Sequence, residues 1–194
     1  DFVDQLKKAG QQYWQILPLG PTGYGDSPYQ SVSTFAGNPY FIDLETLIDK
    51  KLLTKEECES CDWGGSESYV DYEKMYLSRY KLLRKAYERA DLKNDPDYAV
   101  FLKKEKDWLL DYCLFMAIKN AQNGKCWIDW PEELKDRHSK AVKEAEKELA
   151  EEVGFYSFQQ YCFTTQWNKL KEYANEKGIQ IIGDVPIYVA LDSS

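Results

Sequence analysis

The sequence predicts an α/β fold in which two parallel strands frame a large, mainly α-helical insertion. Two units of helix, glycine and strand lead to this prediction, one near each end of the chain. In the first unit, Gly10 ends a short amphipathic helix and a strand follows at 13–17. In the second, Gly178 ends an apolar-striped helix at 155–177, and the next strand covers 179–182. Strands that helices cover on both faces are usually parallel, so the two strands and the second helix predict one βαβ unit.

The insertion follows the first strand and is mostly helical by pattern. Thr54 and Glu57 have the spacing of a capping box, which indicates that a helix begins there. Residues 108–118 are apolar nearly all round, which predicts a helix buried within the insertion. Residues 132–152 are mostly charged and predict one continuous surface helix, with Asp129 as its possible N-cap.

The predicted organisation therefore has three segments. Residues 1–44 hold the first helix, the first strand and the loop that follows it. Residues 45–154 form the helical insertion subdomain, and residues 155–194 hold the second helix and the next strand. A chain of 194 residues is long enough for one domain, or for one domain with a large insertion.

Charge and composition narrow the classes of partner. The formal net charge is −8, from 33 acidic and 25 basic residues, which argues against nucleic acid or an anionic membrane as a partner. No run of about 18 apolar residues is present, so no membrane span is expected. A neutral ligand, such as a sugar, is indifferent to this charge.

The cysteines indicate the cellular compartment of the protein and argue against a metal-binding site. The odd count of five, with no basic and apolar leader at the start, favours reduced thiols and a cytoplasmic location. Cys58 and Cys61 have the spacing of metal ligands, but no second pair and no nearby histidine completes a set of four. We therefore expect no metal site and no cofactor.

The stretch at 18–31, PLGPTGYGDSPYQS, is the strongest candidate for a binding loop. Its three prolines and three glycines exclude a regular helix or strand and indicate a loop of defined shape. The loop carries phenol rings, a carboxylate, a hydroxyl and an amide, which suit a polyhydroxylated ligand: Tyr24, Asp26, Ser27, Tyr29 and Gln30. The alternative is a structural Ω-loop that these side chains hold together.

A family resemblance rests on two long motifs. Residues 14–44, WQILPLGPTGYGDSPYQSVSTFAGNPYFIDL, closely resemble the amylomaltases, which are 4-α-glucanotransferases related to the α-amylases. Residues 178–193, GIQIIGDVPIYVALDS, resemble a second signature of that family. The resemblance implies that the chain is the N-terminal part of such an enzyme. It also implies a partial TIM (β/α) barrel, whose second and third strands are the two predicted here.

The resemblance also implies roles for several residues. Tyr29 matches a tyrosine that packs against the sugar at the cleaved bond, and Ser27 and Asp192 match positions that line the donor groove. Tyr24 matches an aromatic residue of a secondary glucan-binding site. Asp26 and Asp184 are added to the substrate-binding candidates because they lie in the same two strand-exit loops. Asp184 directly follows a strand and a glycine and is expected to be buried, with a purely structural role as the alternative.

The function that the resemblance implies is transfer of α-1,4-glucan chains between glucan acceptors by a retaining double displacement. Such chemistry needs two carboxyl groups about 5 Å apart. In the family both lie on later strands, so we expect no catalytic residue in this segment and an inactive isolated chain. Two alternatives are a non-catalytic α-glucan-binding module and a helical interaction protein. The exposed edges of two barrel strands would also favour self-association.

Overall fold

The computed structural model describes residues 1–23, 25–186 and 190–194 of the chain. This part of the chain is mainly helical and contains a small sheet of two strands, β1 (Tyr13–Gln15) and β2 (Gln180–Ile182). The helices, in chain order, are α1 (Phe2–Lys8), α2 (Leu44–Asp49), α3 (Lys55–Glu59), α4 (Tyr72–Arg89), α5 (Pro96–Lys104), α6 (Leu109–Ala121), α7 (Glu132–Lys135), α8 (Ser139–Glu148) and α9 (Ala150–Glu176).

The two strands are parallel, which confirms the sequence prediction. Tyr13 lies opposite Gln180, and the pairing continues for three residues. The Ile16 N–H donates one further hydrogen bond, to the Ile182 carbonyl. The next donor on that side of β1 would be residue 18, but Pro18 has no N–H, so β1 is shorter than the predicted 13–17. β2 begins one residue later than predicted, at Gln180. A parallel pair of this kind is consistent with part of a barrel.

One face of the sheet is covered and the other is open. Trp14 and Ile181 point towards α1 and the last turns of α9, where Val3, Ala174 and Ile179 are buried. On the opposite side, Tyr13, Leu17 and Ile182 are 55%, 57% and 46% exposed. The run at 13–17 was expected to be a buried strand, but three of its side chains are exposed and two are partly buried, because helices cover only one face of the described sheet.

The main core lies between the insertion and α9, which is 27 residues long. Leu82 and Leu83 of α4 are fully buried against Phe155 and Phe158 of α9. A second cluster joins α6, through Tyr112, Cys113 and Ala117, to Tyr156 and Tyr161 of α9. The sequence prediction of a buried helix at 108–118 is thus confirmed by α6, and α9 is the surface on which the insertion packs.

The charged region of the insertion differs from the prediction. Instead of one helix at 132–152, the chain forms α7, then α8, then the start of α9. Arg137 adopts a positive φ of 55° between α7 and α8, a conformation that no continuous helix allows. Asp129 is not an N-cap, because it ends a 3₁₀ turn and Pro131 precedes the first residue of α7. The capping box of Thr54 and Glu57 is confirmed.

The limits of the three predicted segments stay a prediction. Helix α9 begins at Ala150, so it crosses the boundary placed between 154 and 155. None of the helices in the described part of the chain is both long enough and apolar enough to cross a bilayer.

Candidate functional site

The loop that follows β1 folds back on itself. Thr22 and Ser31 form an antiparallel bridge, and the Thr22 hydroxyl donates to Asp26 Oδ1 at 3.1 Å. Asp26 has a positive φ of 52°, which an aspartate tolerates better than most residues. The Ser31 hydroxyl is buried and donates to the Pro21 carbonyl at 2.9 Å. Asp26 therefore shapes this loop, as the Ω-loop alternative requires of some of its side chains.

Tyr29 and Asp184 join the two strand-exit loops. The Tyr29 hydroxyl donates to Asp184 Oδ2 at 2.8 Å, and the Val185 N–H donates to Asp184 Oδ1 at 2.8 Å. The hydrogen bond from Tyr29 to Asp184 raises the pKa of Tyr29, because ionisation of the phenol would place two negative charges in contact. The Ser27 hydroxyl oxygen accepts a hydrogen bond from the Tyr29 N–H at 3.3 Å. Tyr29, Ser27 and Asp184 therefore lie together.

Asp184 is exposed, so the expectation that it is buried is wrong. The reason is that the described sheet ends at β2, and the residues that follow this strand lie at an open edge. The Tyr29 ring is 38% exposed beside it. Both side chains are accessible to a ligand in this arrangement.

Asp192 has its partners on the insertion rather than beside Tyr29. It forms an ion pair with Lys119 and accepts a hydrogen bond from the Trp127 N–H at 3.2 Å. Sequence reasoning missed both of these residues, which lie 73 and 65 positions away along the chain. Nothing in the local pattern near either of them points to such a contact. Tyr24, the candidate for a secondary glucan site, lies outside the described residues.

Besides a cavity of about 920 Å³ that lies along β1 and the start of the first loop, two smaller cavities border the strand-exit loops. One, of about 580 Å³, lies beside the loop at 21–26 and is walled by four tyrosines: Tyr40, Tyr72, Tyr76 and Tyr80. Burial raises the pKa of Tyr40 to about 12, so its phenol stays protonated and can donate to a ligand. The other, of about 330 Å³, holds Asp184 together with Phe35, Trp108 and Trp167. Cavities lined by aromatic side chains and a few polar groups are suited to binding a sugar ring.

Two glutamines of α9 fix the chain that follows the loop. Gln160 accepts from the Gly37 N–H at 2.7 Å and donates to the Gly37 carbonyl at 3.0 Å. Gln166 makes the same reciprocal pair with Asp43, at 2.7 and 3.1 Å. These pairs satisfy the backbone as a neighbouring strand would. Helix α9 therefore holds the chain at Gly37 and Asp43, just beyond the loop of the candidate site.

Metal binding finds no support in the parts of the chain that the structure describes. They contain no group of three or more His, Cys, Asp or Glu side chains that could hold an ion. Cys58 and Cys61 are free, partly buried thiols. Burial is the main cause that raises the pKa of the Cys58 thiol, and this opposes the thiolate form that metals bind.

Comparison with known proteins decides the family. The family model described as 4-alpha-glucanotransferase matches residues 1–194, the whole chain. The chain belongs to the 4-alpha-glucanotransferase family. This confirms the resemblance that the two end motifs indicated.

Relatives and solved structures of the 4-alpha-glucanotransferases agree with this assignment. The chain is 50% identical over 194 residues to a 4-alpha-glucanotransferase from Clostridium butyricum, and covers 40% of it. It is 48% identical over 198 residues to the one from Thermus thermophilus, and covers 39% of it. The structure superposes on the amylomaltase from Streptococcus agalactiae in complex with acarbose with a TM-score of 0.93 at 39% identity, over 99% of this chain and 39% of that chain. The chain thus spans about two fifths of the length of these relatives.

Proposed function

We propose that the chain is the N-terminal part of a 4-α-glucanotransferase, which moves α-1,4-glucan chains between glucan acceptors. The observation that carries the proposal is the hydrogen bond between Tyr29 and Asp184, which joins the loops that leave two neighbouring parallel strands. In α/β barrels the active site is built from loops at this end of the strands. We propose that β1 and β2 are the second and third strands of such a barrel.

The proposed chemistry is a retaining double displacement. A carboxylate attacks the anomeric carbon while a carboxylic acid protonates the glycosidic oxygen, whose bond to that carbon breaks; the glucan that leaves carries the new hydroxyl, and a glycosyl-enzyme remains. A hydroxyl of the acceptor glucan then attacks the same carbon, and the second carboxyl group, now a base, takes its proton. Both carboxyl groups lie outside this chain in the proposal, which gives this segment a binding role.

The binding role falls to the strand-exit loops. Tyr29 offers an aromatic face to the sugar at the cleaved bond, and Ser27 and Asp192 are polar contacts in the donor groove. Asp26 and Asp184 are further substrate contacts of the two strand-exit loops. Tyr24 belongs to a secondary glucan site. An oligosaccharide ligand is supported by the complex of the S. agalactiae amylomaltase with acarbose. No cofactor enters this mechanism, and the free thiols suit the cytoplasmic location that the sequence suggested.

The test compares two tyrosines in the full-length enzyme that carries this segment. Tyr29→Ala should lower kcat for maltotriose disproportionation by at least fivefold, because a ring beside the reacting sugar acts on the transition state. Tyr24→Ala should change kcat less than twofold and act mainly on binding of long glucans. Tyr69→Ala, at a side chain that is 73% exposed, serves as the control.

Two results would contradict the proposal. Equal effects of the two substitutions on kcat would show that the roles of Tyr29 and Tyr24 are misassigned. Release of glucose from maltotriose by the isolated 194-residue chain would show that the catalytic carboxyl groups lie within it.

A further inference from the structure

We infer that the insertion positions the donor groove, through a clamp formed by Lys119 and Trp127 on the segment that carries Asp192. This inference rests on the proposed function, and it adds a role for two residues that the sequence motifs do not include. Neither residue contacts the sugar in this inference. Each acts through Asp192 and is therefore a positioning residue.

Hydrogen bonds within the insertion hold the Lys119 ammonium group in the position from which it contacts Asp192. Lys119 lies in the last turn of α6, and its Nζ donates to the carbonyls of Gly124 and Lys125 at 3.1 and 3.2 Å. These carbonyls belong to the turn that ends the helix. An ammonium group has three donors, so two are used within the insertion and the third is directed at Asp192.

The second half of the clamp is Trp127. Its backbone N–H donates to Asp192 Oδ1 at 3.2 Å, and its indole N–H donates to the Leu191 carbonyl at 2.7 Å. Both carboxylate oxygens of Asp192 and the carbonyl before it therefore have partners on the insertion. The Lys119 and Asp192 side chains are only 17% and 31% exposed, so water screens this pair less than a surface ion pair.

The clamp is connected to the loop of the proposed site. Two residues after Asp192, the Ser194 N–H donates to the Val32 carbonyl at 2.9 Å, and the Ser194 hydroxyl donates to the same oxygen at 3.2 Å. Val32 lies three residues after Tyr29. The segment at 190–194 is thus held between the insertion and the Tyr29 loop. Within the described part of the chain, each carboxylate oxygen of Asp192 accepts one hydrogen bond from the clamp, which leaves a second lone pair for a sugar hydroxyl in an orientation that the clamp sets.

Steady-state kinetics of the full-length enzyme on maltotriose test the inference. Lys119→Met keeps the stem but removes the charge, and we expect kcat to fall at least tenfold while KM changes less than threefold. Lys119→Arg restores the positive charge and should return kcat to within about threefold of the wild type. Lys103→Met, at an exposed lysine of α5, is the matched control and should leave both constants unchanged.

A double mutant separates positioning from general damage. If Lys119 acts through Asp192, the Lys119→Met/Asp192→Asn enzyme should be no slower than Asp192→Asn alone. Fully additive losses would overturn the inference, as would a Lys119→Met enzyme with wild-type kcat. Thermal unfolding of each variant shows whether a loss of activity is a loss of folded protein.

Hydrogen–deuterium exchange gives a readout that does not depend on activity. Backbone amides at 191–194 should exchange at least tenfold faster in Lys119→Met and unchanged in Lys103→Met. Unchanged exchange in Lys119→Met would overturn the clamp itself. A wild-type enzyme without transfer activity would instead overturn the proposed function, and with it the link between the clamp and glucan.

Discussion

Replacing Gly37 by alanine should disrupt the packing against α9 of the chain that follows the first strand-exit loop. A Cβ added at Gly37 would lie 2.0 and 2.1 Å from two ring atoms of Phe163. Ordinary van der Waals contact begins at 3.4 Å, so one partner must move by about 1.4 Å (3.4 − 2.0). The backbone of Gly37 cannot give way freely, because Gln160 holds both its N–H and its carbonyl.

The size of the stability loss depends on whether the Phe163 ring or the Gly37 backbone moves. If the Phe163 ring moves, the cost is that of overpacking, about 1–3 kcal/mol. If the backbone moves by that distance, its two hydrogen bonds to Gln160 break. Gln160 is 1% exposed, so an unsatisfied amide there costs about 1–3 kcal/mol. Either route predicts a loss of about 1–3 kcal/mol, or a fall in Tm of roughly 2–12 °C for a chain of this size.

Urea unfolding followed by circular dichroism measures this loss. Gly65→Ala is the matched control, since a Cβ there meets nothing within 4 Å, and its effect should stay within about 0.5 kcal/mol. Adding Gly37→Ala to a Phe163→Ala background should cost much less than in the wild type, because the ring is gone. A Gly37→Ala protein as stable as the wild type, or the same loss in both backgrounds, would refute the reasoning.

Two further predictions concern stability. A Cβ at Gly154 would lie 2.3 Å from the Tyr87 hydroxyl oxygen and 3.3 Å from its Cζ, so Gly154→Ala should destabilise the wild type in thermal melts. The loss should be clearly smaller in a Tyr87→Phe background, which lacks that oxygen, and equal losses in both backgrounds would contradict this. Hydrogen bonds from Arg89 and Lys85 lower the pKa of Glu57 from its usual 4.5 to about 2. The ionised carboxylate therefore stabilises the folded protein fully above pH 4.5, and this stabilisation is lost as the pH falls towards 2. Between pH 6 and pH 3 the urea midpoint should therefore fall further for the wild type than for Glu57→Gln, and equal falls would count against that role.

The sequence was sufficient where the signal is local. Gly10 and Gly178 have positive φ values of 72° and 81° at the ends of their helices, which is the conformation that made them predictable stops. The parallel pairing of β1 and β2 followed from the order of elements. The same order placed Tyr29 and Asp184 at one end of the sheet, although they are 155 residues apart.

The sequence was insufficient where a side chain depends on distant neighbours. Whether Asp184 is buried depends on what lies beyond β2, and no pattern around the residue carries that information. Lys119 looks like an ordinary charged residue at the end of an apolar helix, and only the folded chain brings it to Asp192. The break at Arg137 was missed because the charged residues around it favour a helix on either side.

The reciprocal glutamine pairs have a consequence for how the insertion tolerates change in length. Gly37 and Gln160 are 123 positions apart, as are Asp43 and Gln166. The entropy of closing a flexible loop grows with the logarithm of its length, so even a doubling costs only about 0.6 kcal/mol. Surface turns such as the stretch at 65–69 can therefore be lengthened or shortened at a cost below that of one hydrogen bond. Residues can be added to the insertion there while α9 keeps its hydrogen bonds to Gly37 and Asp43.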